Sequence, residues 1–178
     1  MTIFHHRIGA LLCCVALGAC GGHTAPGAAR DPHDVQATAP GAAVCVQPSA
    51  TQNAVGAQAT NAVRSSAGLP PVRPNMLLAQ VAAEHACDMA GRGLMTHRGS
   101  KSSGPGPRVK ARGYAPLLTA ENIAAGPFDL SRVLSEWNAS QGHRDNITIP
   151  HVRDYGIGHA IGADGKTRFW AAVYAAPK

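Results

Sequence analysis

The chain has 178 residues, 45% of them hydrophobic and only 4% aromatic, and a formal net charge of +6 at pH 7. The excess positive charge is scattered, with no basic run and no interleaved aromatic platform on which bases could stack. This excludes a nucleic-acid binder and leaves a basic protein suited to anionic surroundings.

The chain opens MTIFHHRIGALLCCVALGACGG. Arg7, with His5 and His6, gives a short basic start before an apolar run from Ile8 to Ala19. That run is shorter than the roughly 20 apolar residues a membrane-spanning helix needs. It has the length of a signal-peptide core. It ends in Leu17-Gly18-Ala19 directly before Cys20, which resembles the lipobox of bacterial lipoproteins. Residues 1–19 are therefore expected to be removed and Cys20 to carry lipid as the mature N-terminus. Residue 21 is Gly rather than Asp, the inner-membrane retention cue of such lipoproteins, so an extracytoplasmic protein anchored to the outer membrane is expected.

From residue 21 to 43 the chain is rich in Gly, Pro and Ala, and Val35 is its one aliphatic residue larger than alanine. Such a stretch cannot bury enough apolar surface to offset its ordering entropy, so residues 20–43 read as a flexible tether. Residues 44–178 suit one domain with one core. Of the five cysteines, Cys13 and Cys14 leave with the signal and Cys20 takes lipid. Cys45 and Cys87 remain, and an oxidising compartment favours their pairing; two separate thiols, one buried on a helix, are the alternative. By chain entropy the bridge is worth roughly 3–4 kcal/mol.

Within the domain, Ser49 to Ala67 carries Val55, Ala59, Ala62 and Val63 at helical spacing, closed by Gly68 and Leu-Pro-Pro. Pro74 suits the first turn of a second helix, whose face holds Leu77, Leu78, Val81, Ala82, His85 and Met89. Gly91 and Gly93 mark its end. Gly99 to Pro107 reads as a loop, followed by a short helix in RVKARGY. The segment LLTAENIAAG, Leu117 to Gly126, is too rich in alanine for periodicity to decide. Asp129 to Ala139 reads as a helix with Leu130, Val133, Leu134 and Trp137 on one face. Two strands joined at Asp164-Gly165 close the chain. The second, Thr167 to Ala175, is apolar on both faces and needs cover on both. The expectation is a layered α+β domain.

His97, Glu121 and His143 are too far apart in sequence for a helical zinc motif. Singly, each reads as a surface, capping or salt-bridge residue. The ordered segments AEHACDMA, MTHRGS, RVKARGY, AENIAAG, EWNASQGHRDNI, YGIGHAIG and RFWAAVYA, however, resemble bacterial members of the CAP superfamily, the relatives of cysteine-rich secretory proteins, antigen 5 and pathogenesis-related proteins. The likeness runs from about Asn53 to Ala175.

The resemblance implies a three-layer α-β-α sandwich with a small, mainly antiparallel sheet. It implies a cleft in which two His and two acidic residues meet. His97 matches the first histidine, Glu121 the glutamate of the Gly-Glu-Asn motif (with Ala120 for its glycine), and His143 the second histidine. The second glutamate falls three positions after Trp137, where this chain has Ser140. Glu136, on a different part of the helix, is not expected to substitute. His97, Glu121 and His143 are a ligand set for a divalent metal, most plausibly zinc, and Ser140 a possible fourth cleft member. A serine hydroxyl can bond a metal-bound water but cannot take its proton near neutral pH, so the substitution favours binding over hydrolysis. A Ser140–His143 nucleophile pair lacks an orienting acid and an oxyanion hole, and Gly142 is expected to break the helix between them.

The expected function is an envelope-anchored, monomeric protein that binds a lipid or envelope component in this cleft and is not an enzyme. The alternatives are a metal-assisted hydrolase or protease using the same cleft, and a purely structural or partner-binding module. If Cys20 is the lipidated residue, Cys20→Ala will accumulate as uncleaved precursor and take up no labelled palmitate; equal labelling of the two proteins refutes the assignment.

Overall fold

The structure, a computed structural model, describes residues 34–178. The signal segment, Cys20 and the tether up to residue 33 lie outside the described residues.

The described chain begins with a two-residue strand, β1 (Val35–Gln36), and a second, β2 (Val44–Cys45). β1 pairs antiparallel with β4 (Leu94–Met95), Ala37 N donates to Gly93 O at 2.8 Å, and Gly41 N donates to Gly91 O at 3.0 Å. The tether expected over residues 20–43 therefore does not include residues 35–41, which are bonded to the domain. Backbone hydrogen bonds, not apolar burial, hold this segment to the domain.

α1 (Ala50–Ser66) starts where Ser49 Oγ accepts the amide of Gln52 at 3.0 Å. The second helix starts later than its proline suggests. Arg73–Pro74 is a short strand, β3, parallel to β6 (Asp154–Ile161). The amides on either side make its bonds, Arg73 N to Arg153 O and Asn75 N to Tyr155 O, so the donor that proline lacks is not needed. Asn75 then caps α2 (Met76–Arg92), its side chain accepting from the amides of Leu77 and Leu78. α2 ends at Gly93, whose φ of 64° is left-handed.

α3 (Pro105–Ala111) begins inside the Gly-Pro-Gly-Pro stretch read as loop, because a proline suits a first helical turn. The undecided alanine-rich segment is a strand, β5 (Pro116–Gly126). α4 (Leu130–Ala139) is capped by Asp129. α5 (Gln141–Ile147) follows at once. Gly142 does not break the helix between Ser140 and His143. The break is at Ser140, whose ψ of 127° is extended, and Gly142 lies in the first turn of α5. β6 and β7 (Arg168–Pro177) form the closing hairpin. Its turn runs past Asp164-Gly165 to Thr167, with Asp164 Oδ1 accepting the amides of Lys166 and Thr167, both at 3.0 Å.

The main sheet has the order β2-β6-β7-β5, with β3 on β6. On one face of it, Leu78, Val81, Ala82, Ala86 and Met89 of α2 and Val109 of α3 pack on Ile123, Phe169, Ala171 and Val173. On the other, Ala57 of α1, Val133, Leu134 and Trp137 of α4 and Ile147 of α5 pack on Tyr155, Ile157, Trp170, Ala172 and Tyr174. The result is a three-layer α-β-α sandwich. β7 is covered on both faces, as its double apolar pattern requires. The Cys45–Cys87 disulfide, 42 residues apart with Cα atoms at 5.1 Å, ties edge strand β2 to α2.

β6 presents Gly156 and Gly158 to α2. A Cβ at Gly156 would collide with the backbone at Leu78–Ala79, and one at Gly158 with the backbone at Ala83. These glycines set how closely helix and sheet approach. Gly158→Val will force backbone apart and cost roughly 3 kcal/mol or more, the upper end for overpacking. Chemical denaturation of the variant checks it, and Gly142→Ala, in open space, serves as the neutral control.

Candidate functional site

Strand alternation decides where Glu121 points. Ile123 joins the α2-side cluster and Ala124 the opposite one. Glu121 shares the parity of Ile123, so it faces α2, where His85 stands on the buried stripe of that helix. Asn122 faces the other layer.

The Glu121 side chain is 1% exposed. A charge so buried must be paired and hydrogen-bonded. Arg108 Nη2 donates to its Oε2 at 2.5 Å, and His97 Nδ1 lies 3.0 Å from its Oε1. His85 Nε2 lies 3.6 Å from Oε1. Burial opposes ionisation of Glu121, but His97, His85 and Arg108 together hold its carboxyl below the ordinary value. An ionised carboxylate only accepts, so His97 carries its proton on Nδ1 and donates it to Glu121.

His85 is held in its neutral form. Its Nε2 lies 2.9 Å from the Thr96 carbonyl, which only accepts, so Nε2 carries the proton. Its Nδ1 is buried with no hydrogen-bond partner among the described residues. Protonation would add an unpaired N–H there. Burial pushes the His85 pKa down to about 4, with nearby Arg108 adding to the shift and Glu121 opposing it.

Asn122 and Asn146 bind the second layer to the same strand. Asn122 Nδ2 donates to the His143 carbonyl and to Tyr174 Oη, both at 3.2 Å. Asn146 Nδ2 donates to the Glu121 carbonyl at 3.1 Å and to Asn122 Oδ1 at 2.9 Å. The His143 ring lies 6.3 Å from that of Trp137. A cleft of about 370 Å³ opens here, lined among others by Met95, His97, Glu121, Trp137, Ser140 and His143. The four residues matched to the tetrad positions thus line one cleft. Glu136 also reaches it, but is paired with Arg132 at 2.6 Å.

The residues do not fit a three-ligand metal centre in this arrangement. Both Glu121 oxygens already face donors from the chain, one of them a guanidinium. Among the described residues no three His, Cys, Asp or Glu side chains are placed to hold one ion. Glu121 is also a poor general base, because its carboxyl is depressed and both oxygens are engaged. The arrangement orients an imidazole and presents it, with His143, to a partly apolar cleft.

Sequence reasoning missed His85 and Arg108. His85 sits at a core position of an apolar stripe, and Arg108 is one arginine among many in a basic chain. Periodicity places His85 on the buried face but is silent on its chemistry, and Arg108 gives no periodic signal.

A three-layer sandwich with such a cleft defines the class of protein. Residues 57–174 match the model of the cysteine-rich secretory protein family, CAP, and the chain belongs to that family. It is 31% identical over 100 residues to the uncharacterized protein YkwD of Bacillus subtilis (strain 168), covering 56% of this chain and 39% of that one. The chain therefore spans about two fifths of that relative's length. An extracellular protein containing an SCP domain from Bacillus anthracis superposes with a TM-score of 0.62 at 25% identity, over 71% of this chain and 40% of that one. An outer surface protein of Borrelia burgdorferi superposes with a TM-score of 0.64 at 19% identity, over 74% of this chain and 96% of that one.

The His85 shift fixes a pH dependence. Its folded pKa, about 4, lies below its ordinary 6.5, so the folded state binds fewer protons than the unfolded chain between those values. The stability it contributes is complete above pH 6.5 and is lost as the pH falls towards 4. Depressed Glu121 acts in the same direction at lower pH. Thermal melts will show Tm falling across this window, and His85→Gln will flatten that fall. An unchanged slope in the variant contradicts the assignment.

Proposed function

We propose that this chain is an extracytoplasmic CAP protein, anchored to the cell envelope through Cys20, whose cleft binds an amphiphilic lipid or envelope component. The cleft carries the reading. Its apolar lining comes from the clusters on both faces of the sheet, with Met95 and Ile123 on one side and Phe128 and Trp137 on the other, and two imidazoles share it. Apolar walls with few, placed polar groups are the ordinary make-up of a small-molecule site. Glu121, oriented as a hydrogen-bond acceptor for His97, supports positioning of a polar head group more than proton transfer to water. A Cys45–Cys87 bridge supports an oxidising compartment. Relatives that are an extracellular protein and an outer surface protein support the same location.

The test uses residues 21–178, so that neither the apolar N-terminal run nor an acyl group of its own brings lipid into the extract. Mass spectrometry of solvent extracts will find a bound amphiphile in this protein. Met95→Asp, which puts a charge on the apolar wall, and His97→Ala will each lose most of it. Extracts without lipid, or with equal lipid in all three folded proteins, refute the reading.

A further inference from the structure

The metal-ligand set that the family likeness implies and the geometry of Glu121 disagree, and Arg108 explains why. It rises from α3 and makes three contacts with one guanidinium. Nη2 donates to Glu121 Oε2 at 2.5 Å; Nη1 donates to the His97 carbonyl at 3.0 Å and to Ser102 Oγ at 3.1 Å. Its own side chain is 11% exposed, so the pair is shielded from water. A guanidinium is always charged and presents its donors as a rigid fork. A divalent ion reaching for Glu121 meets an oxygen already facing that cation, and two positive charges repel strongly where the dielectric is low.

We propose that the Arg108 guanidinium is the resident cation of this cleft. It takes the place on Glu121 that a metal ion would take, and it positions His97 twice: through its backbone carbonyl, and through the carboxylate to which its ring donates. The inference does not rest on the ligand-binding reading. It makes the fold and the His97 geometry independent of divalent metal. Without Arg108 the carboxylate still faces the His97 ring, while His85 Nε2 stays committed to the Thr96 carbonyl, so no three side chains among the described residues are left placed to hold one ion.

Thermal melts of residues 21–178, with chelator and with added zinc, test this. The chain carrying Arg108 will melt at one temperature in both. Arg108→Gln will lose roughly 10 °C or more, as expected when a buried ion pair loses one member. Zinc will not restore that loss, because no three side chains among the described residues are placed to hold the ion. Arg108→Lys, which keeps the charge, will regain most of the Tm and ignore zinc. Should Arg108→Gln fail to fold, the lysine variant and the parent chain decide. A parent chain that loses Tm on chelation, or gains Tm with zinc in a way Glu121→Gln abolishes, overturns the proposal. So does an Arg108→Gln protein with the parent's Tm.

Discussion

A carboxylate with 1% of its side chain exposed sits on the edge strand of this sheet, and its charge has to be answered from within the protein. Three elements supply the answer: His85 from α2, Arg108 from α3 and His97 from the turn after β4. Each brings its own segment with it. Arg108 also holds the His97 carbonyl and Ser102 Oγ, and His85 holds the Thr96 carbonyl. The loop that follows α2 is thus fixed by the groups that surround Glu121. Pairing a buried charge is weak evidence of net stability, since desolvation offsets much of the attraction. What it provides here is one defined orientation for an imidazole at the cleft.

The opposite layer is organised by a buried cation. Arg64 of α1 is fully buried, and donates to the carbonyls of Pro70, Ile147, Ile149 and Val152. It binds the end of α1 to the end of α5 and to the segment entering β6. Asn122 then connects this layer to the Glu121 cluster, because the residue next to the carboxylate points to the other face and holds the His143 carbonyl. Adjacent residues of one strand therefore control the two halves of the cleft. The period of two makes a Glu-Asn pair suited to this: one side chain goes to each layer.

The helices were legible where caps and apolar faces agree. Ser49 and Asp129 begin α1 and α4, and Leu130, Val133, Leu134 and Trp137 line the inner face of α4. β7 was legible from apolar residues on both faces. β5 was not, because its alanines fit either state, and its ladder with β7, a tertiary interaction, makes it a strand. The start of α2 was misplaced for a related reason: Pro74 suits a helix start, but the neighbouring amides bond to β6, and Asn75 supplies the cap. At the cleft, the ordered motifs pointed to His97, Glu121, Ser140 and His143 together. They could not show that Glu121 is already paired. That depends on a single arginine 13 residues away, on another element.

The place where the described chain begins adds a geometric constraint on the proposed anchoring. β1 lies against β4, with Val35 opposite Met95, and Met95 lines the cleft. The described chain therefore starts at the rim of the cleft, not on its far side. Backbone bonds at Ala37, Thr38 and Gly41 fix that start to the turn that ends α2. If Cys20 is the anchored residue, only 14 residues separate it from Asp34. Even fully extended, a chain of that length spans no more than about 50 Å. The cleft is then held near the surface that holds the anchor, where an amphiphile could pass between membrane and protein over a short path.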